Sequence, residues 1–589
     1  MIVPMKKITV VVQAKDADSA VARLRHLGVL HVEHQQMPKG KDIDTFSKEI
    51  AGISEAIGIL SGPEFSQRAT QVQDRKIVAW HIICQHVIDL HKRLDQLQEY
   101  SRNMLQNINF WQAWGEFDPQ EVKALAERKI FIRFYQLAIK EVDKFPQGLL
   151  VKKISTVKGV VNCLTISREE TPVAFKEVGL PKMSLAKMRD RLAEDSRAME
   201  LIREELAKAV FYREGLARAK KSLEKDLEFQ EALKGMGNVG ALMYLSGYIP
   251  YDSKDMLMIS AKKEKWGILI SEPTEEDNIP TLIRNPKWIS LVSPLFKLLE
   301  VVPGYRELDI SLPFLIFFGI FFGMIIGDAG YGIIYLLLTF WAQRKYSKKL
   351  TDKSVFYLFY VLSFCAILWG LLTGTFFGQE WVFKLGLKPL VPALNQTNTI
   401  LGFCFFLGAL HLTIAHFWRM ILKLPSLTAW ADAGWICILW SAFLLAKVLI
   451  LGNSFPAIGK WLIITGILSV IFFTSPQKNI FKAIGAGLGA LALSLMNNFT
   501  DVVSYMRLFA VGLAGVAIAN TFNSLAAGVG RGNIFAIFLS LIIIIAGHGL
   551  NLLLGPMSVL VHGIRLNVLE FCGHVDVKWS GFAYKPLKE

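Results

Sequence analysis

The stretch Asn497-Asn498-Phe499-Thr500-Asp501-Val502-Val503-Ser504-Tyr505-Met506-Arg507 carries an arginine into a segment otherwise apolar enough to cross a bilayer. On insertion scales a mid-bilayer arginine costs roughly 2.5–3.5 kcal/mol, so such a residue faces a water-filled path or a partner carboxylate rather than lipid. At about 100° per residue, Ser504, Thr500 and Asn497 fall within about 80° of Arg507 on one side, with Ala510 and Ala514 bordering that face. The last apolar segment repeats the pattern: His548, Asn551, Gly555, Ser558, His562 and Arg565 lie within roughly 60° of one helical line. Two hydrophobic helices thus each present one arginine on a hydrophilic stripe. The alternative is that both arginines snorkel to an interface, a reading better suited to Arg565, which has polar sequence soon after it.

Working outward, the chain of 589 residues, 52% of them hydrophobic, is too long for one core and too apolar for an ordinary soluble protein. Charges are dense up to about residue 310, and apolar runs dominate from Leu312. The expected fold is mainly α: a cytoplasmic two-lobed α/β domain with a coiled-coil arm (1–310), then a polytopic helical membrane domain of about eight spans (311–589). The net charge of +15 accompanies neither a long basic block nor a nucleic-acid-binding motif, so no nucleic-acid partner is expected. Topology explains part of it. Arg344, Lys345, Lys348, Lys349 and Lys353, then Arg419 and Lys423, then Lys478 and Lys482 fall on one side of the expected spans. Lys384, Lys388, Lys460 and Arg531 fall on the other. The positive-inside rule then puts both termini in the cytoplasm of a multi-pass protein in the cell membrane. The six cysteines are scattered without a C-x-x-C pair, which implies neither a disulfide framework nor a zinc site.

At the N-terminus the pattern is strand, helix, strand: Ile8 to Val12, Ala17 to Leu27 after Asp16, then Val29 to Val32. Residues 42–127 read as long helix, with Leu60, Ile77, Trp80, Ile83, Val87, Leu90, Leu94 and Leu97 on one apolar face. Residues 181–235 carry a near-heptad seam through Leu185, Met188, Leu192, Met199, Ile202, Leu206, Ala209, Leu216, Leu223 and Leu227. These stretches predict an antiparallel coiled coil with a β-rich distal lobe at about 129–180; strand-like runs Ala241 to Tyr248 and Trp266 to Ile270 return to a proximal lobe of 1–40 and 238–310. In the membrane half, Gly319, Gly323 and Gly327 form a stripe for close helix packing, and Gly327-Asp328-Ala329-Gly330-Tyr331-Gly332 predicts a tight hairpin between two short spans. Further spans are expected at 355–378, 398–421, 431–451, 460–474, 482–525 and 533–570, the last two long enough to tilt or protrude.

No Walker A loop occurs, since Gly459-Lys460 is followed by Trp461; Gly485, Gly487 and Gly489 sit in an apolar run and read as packing residues. No nucleophile and base stand together, and His31 and His34 beside Glu33 read as surface residues rather than metal ligands. The chain is therefore expected to hold no cofactor, metal or nucleotide site of its own.

An ordered set of motifs runs nearly end to end: Met5-Lys6-Lys7-Ile8 with Leu27-Gly28-Val29-Leu30-His31-Val32-Glu33; Gly247-Tyr248-Ile249-Pro250; Pro303-Gly304-Tyr305 with Glu307; Phe321 through Gly332; Trp369-Gly370; Ser504 through Leu508; Val561 through Leu566; and Glu570-Phe571. By these the chain resembles the membrane-embedded stator subunit of V-type and archaeal-type rotary ATPases, called subunit I in bacteria and subunit a elsewhere. The resemblance implies that Arg507 and Arg565 face the carboxylates of a rotating ring of small c/K subunits. It implies candidate half-channel residues Asn497, Asp501, Ser504, Asn551, Ser558, His562 and Glu570. It also implies a soluble arm that anchors E/G peripheral stalks, a central-stalk attachment subunit in the same complex, and H⁺ or Na⁺ translocation coupled to ATP turnover on other subunits. Gly555 stands where eukaryotic relatives carry a Glu, so their proton path does not transfer whole. For the amides and serines, helix–helix hydrogen bonding is an equal reading. The rival for the whole chain is an ion-coupled secondary transporter whose intramembrane arginines bind an anionic substrate.

Overall fold

The computed structural model describes residues 1–66, 79–146, 149–157, 159–169, 173–347, 350, 352–378, 389–452, 454–477, 480–529 and 532–588. Ile77, Lys348, Lys349, Lys384, Lys388, Lys478 and Arg531 lie outside the described residues. The chain forms two compact units: Val10–Gly28 with Val32–Ser246 and Leu587–Glu589, and Met1–Thr9 with Val29–His31 and Gly247–Pro586.

In the first unit the helix Ala17–Leu27 ends at Gly28, whose φ of +64° is a left-handed conformation and whose N–H donates to the Leu24 carbonyl at 3.1 Å. Lys41–Leu60 packs on Arg213–Lys234, and Trp80–Trp111 on Leu185–Ala209. The pairing is antiparallel, as the ion pair of Glu64 with Arg203 at 2.8 Å and the bond from Ala186 N–H to Glu116 at 2.8 Å show. Its seam buries Leu60, Val87, Leu94, Leu97, Met199, Leu206 and Leu216, the three- and four-residue steps that the sequence spaces along one face. In the chain between Trp80–Trp111 and Leu185–Ala209, a four-stranded antiparallel sheet takes the order Leu150–Val157, Val160–Ser167, Phe131–Ala138, Glu177–Val178. Its register sets Tyr135 opposite Cys163, both fully buried.

In the second unit, Glu307 ties the chain's last residues to the start of the membrane half. Its carboxylate accepts from Gly304 N–H at 2.7 Å, Lys578 N–H at 3.1 Å and Trp579 N–H at 3.2 Å. Lys7 meets Asp277 at 2.5 Å and, through that hydrogen bond first and those from Thr274 next, holds the carboxyl down from 3.8 to about 2 against the opposing effect of burial.

Among the described residues five helices are long and apolar enough to cross a membrane: Ser354–Thr373, Thr397–Lys423, Ala429–Leu451, Ile484–Gly528 and Ile534–Val575. Ser311–Ile326 and Ala329–Tyr346 make a sixth span if taken together, bent by 119° at Gly327 and Asp328. The bend has a local cause. Gly327 adopts φ +67°, and Asp328 caps the following helix by accepting from Gly330 N–H at 2.7 Å and Tyr331 N–H at 3.2 Å. Gly327 is therefore a cap rather than part of the packing stripe, while a Cβ on Gly323 would lie 2.7 Å from the Cys365 carbonyl oxygen. Ala457–Phe473 is shorter, 17 residues or about 26 Å of helix, because Pro456 precedes it and Ser475-Pro476 follows. Of the three glycines after Lys482, Gly487 packs on the backbone of Ile471, whereas Gly485 and Gly489 face open space.

Candidate functional site

The site lies wholly in the second unit, where two arginines from different helices meet one carboxylate. The helix Ile480–Ser504 and the helix Met506–Gly528 are joined at Tyr505, which is fully buried. Tyr505 and the His411 Nδ1 are 2.8 Å apart, and the His411 ring stacks on Phe571 with centroids 4.3 Å apart. Three-residue hydrogen bonds, from Tyr505 N–H to Val502 O at 3.4 Å and from Leu508 N–H to Tyr505 O at 3.1 Å, tighten the turn there. Asn497 and Asp501 turn to a cavity, while the Ser504 hydroxyl donates to the Asp501 carbonyl at 2.7 Å and Thr500 to Met496 at 2.9 Å.

The last helix changes period as well. After Ile534–Ser558, π-helical turns occupy Val559–Gly563 and Leu566–Phe571. Five residues in a regular α-helix place side chains about 140° apart, whereas a π-turn brings them onto one face. Arg565 Nε consequently sits 3.6 Å from Glu570 Oε1, the same oxygen that accepts from Arg507 Nη2 at 3.1 Å. Glu570 is buried, Arg507 partly so and Arg565 half-exposed. Arg507 Nη1 and Glu570 Oε2 are buried with no hydrogen-bond partner among the described residues. His562 lies half-buried on the first π-turn.

A cavity of about 270 Å³ opens beside this triad, lined by Asn497, Asn498, Asp501, Glu570, His574 and His416 among others. A hydrogen-bonded series runs along it: Asp501 Oδ2 to His574 Nε2 at 3.1 Å, His574 Nδ1 to His416 Nε2 at 2.8 Å, His416 Nδ1 to Asp432 Oδ1 at 3.2 Å. Asp432, fully buried, also accepts from Arg419 Nε at 2.8 Å and Lys423 Nζ at 2.7 Å. A second cavity, about 120 Å³, is lined by Asn551, Ser558, Tyr331 and Tyr335 with apolar neighbours and Gly555. Asn551 donates to Tyr331 at 3.1 Å and to the Gly515 carbonyl at 2.8 Å, and Tyr331 meets His548 at 2.6 Å. His548 in turn meets Asn523 at 3.0 Å.

The chain is 29% identical over 615 residues to V-type ATP synthase subunit I of Borreliella burgdorferi, with all of both chains covered. It is 28% identical over 629 residues to V-type ATP synthase subunit I 1 of Treponema pallidum, again with all of both covered. The chain is a homologue of V-type ATP synthase subunit I. The A-type ATP synthase subunit I of Methanocaldococcus jannaschii is 25% identical over 454 residues, covering 70% of this chain and 64% of that one. A crystal structure of the cytoplasmic N-terminal domain of a V-ATPase subunit I aligns with 45% of this chain and 100% of its own at 15% identity and a TM-score of 0.25. No protein-family model matches. As a subunit I homologue with several apolar helices, the chain is a multi-pass membrane protein.

Of the residues singled out from sequence, the structure gathers Arg507, Arg565 and Glu570 into one triad, Asn497 and Asp501 at one cavity, and Asn551 and Ser558 at another. Sequence reasoning passed over His574, His416 and Asp432. Each stands within or at the end of an apolar run, and an ionisable residue there is the same signal that drew attention to Arg507.

Proposed function

We propose that the chain is the membrane stator subunit of a V-type ATP synthase or ATPase, passing H⁺ or Na⁺ along a rotor ring of small c/K subunits. The observation that carries this reading is the convergence of Arg507 and Arg565 on Glu570, which lines one polar cavity, with a second, more apolar cavity lined by Asn551 and Ser558. Arginine stays charged at any accessible pH, so it draws the deprotonated carboxylate of a passing ring subunit and bars direct ion flow between the two cavities. An ion then reaches the second cavity by riding the ring. Each elementary charge crossing about 100 mV releases roughly 2.3 kcal/mol, which rotation couples to ATP turnover elsewhere in the complex.

In this reading Asn497, Asp501 and Ser504 belong to the half-channel on the Arg419 and Lys423 side, which positive-inside charge makes cytoplasmic. Asn551, Ser558 and His562 belong to the opposite one, and Glu570 stands between. Residues 1–310 are the cytoplasmic stator arm that grips E/G peripheral stalks, alongside a central-stalk attachment subunit, and 311–589 the translocation domain. The protein sits in the cell membrane with both termini cytoplasmic. The test is ATP-driven pumping by the reconstituted complex with Arg507→Ala at matched assembly, run separately with H⁺ and Na⁺. Loss of pumping is expected; undiminished pumping would remove Arg507 from the mechanism, and substrate uptake by the isolated chain in liposomes would favour a secondary transporter.

A further inference from the structure

The hydrogen-bonded series along the larger cavity fixes its own proton count. Asp432 accepts from Arg419 and Lys423 as well as facing His416, so it is a carboxylate and His416 Nδ1 must carry a hydrogen. A neutral His416 then offers Nε2 as a lone pair, and the hydrogen between it and His574 belongs to His574 Nδ1. That leaves His574 Nε2 facing Asp501 Oδ2 at 3.1 Å. Two lone pairs cannot make that contact. One further proton is required; Arg419 and Lys423 already neutralise Asp432 and disfavour a third cation on His416, which leaves it on His574, giving an imidazolium beside a carboxylate, or on Asp501, giving a carboxyl that donates to a neutral imidazole.

We infer that Asp501 and His574 form a one-proton loading site on the route to the ring, with His416 and Asp432 as positioning residues that set its tautomer. This deepens the stator reading and rests on it, and it commits the transported ion to H⁺. In loading, a hydronium in the cavity gives up one O–H bond as an N–H bond forms at His574 Nε2. In unloading, that proton passes to Asp501 and on to a ring carboxylate, and the pair's charge falls by one. The charged groups around the pair come from every packed helix. Arg419 Nη1 donates to the His574 carbonyl at 3.2 Å, and Glu570 and Asp501 share the cavity wall with His574. His411, His416 and Lys423 lie on the same helix as Arg419, and Arg507 and Arg565 stand behind Glu570.

The experiment compares wild type, Asp501→Asn, His574→Gln and Arg507→Ala in the full reconstituted complex, following ATP-driven proton uptake against pH. Neither Asn nor Gln can take the proton, while both keep the hydrogen-bonding shape. Uptake roughly tenfold or more slower, with the pH profile flattened in both variants and restored by Asp501→Glu, is expected. An infrared spectrum of the purified full-length chain gives a second reading independent of assembly: a carboxyl or imidazolium band that titrates in wild type and is missing in Asp501→Asn and His574→Gln. Wild-type rate and pH profile in both variants, with Arg507→Ala inactive, would overturn the loading site and leave the stator reading standing. ATP-driven Na⁺ uptake that persists with a protonophore present would overturn it too. Full pumping by Arg507→Ala would instead remove the stator reading.

Discussion

Two histidine–carboxylate contacts in this molecule have nearly the same length and opposite surroundings. In the helical arm, His86 and Glu205 meet at 2.9 Å with each side chain 53% exposed; in the membrane half, His416 and Asp432 meet at 3.2 Å with 4% and 0% exposed. Water screens the first pair and stands ready to replace either partner, so the contact adds little. The second pair has surrendered its hydration, and each member depends on the other and on Arg419 and Lys423. In this chain the worth of a polar contact follows its burial rather than its distance.

Asp432→Ala strands two cations and an imidazole, and a loss of about 3–5 kcal/mol is expected in the unfolding free energy of the detergent-solubilised chain; a loss as small as a surface pair's would show water reaching the cluster. Asp328→Ala removes a buried cap that serves Gly330, Tyr331 and Gly378 N–H groups, and should cost about 1–3 kcal/mol by the same assay. Asp277 sharpens the contrast from the other side. Its carboxyl is held at about 2, below the ordinary 3.8, chiefly by Lys7, so the stability it confers is complete above 3.8 and fades as pH falls through about 2. Denaturant titrations between about pH 5 and 2 should therefore show a shallower acid limb in Asp277→Asn than in wild type. The smallest effect belongs to Glu205→Ala, under about 1 kcal/mol, and a larger one would mean the arm pair is less hydrated than its exposure indicates.

Much of the arm was legible because its seam obeys a single period: Leu185, Met188, Met199, Leu206 and Leu216 follow helical steps and all are buried. The membrane helices were legible by hydropathy, and the 17-residue helix differs from a full span because prolines bound it. The site was legible in its residue types and obscure in its pairing. Arg565 and Glu570, read at 100° per residue, diverge; a π-turn brings them together. Gly327 read as one of three packing glycines, yet its left-handed φ makes it the hinge of the bent pair.

The sequence by itself determined that arginines stand inside apolar segments, which ones they are, and that a long heptad-patterned arm precedes a helical membrane half, because hydropathy and periodicity are local properties of the chain. Only the tertiary structure decided that Arg507 and Arg565 share one carboxylate, and that Asp501, His574, His416 and Asp432, scattered over 159 positions from 416 to 574, make one series. The physical reason is that an ionisable group buried away from water must find its partner wherever the packing of helices brings one, and helix packing joins residues that no spacing in the sequence relates.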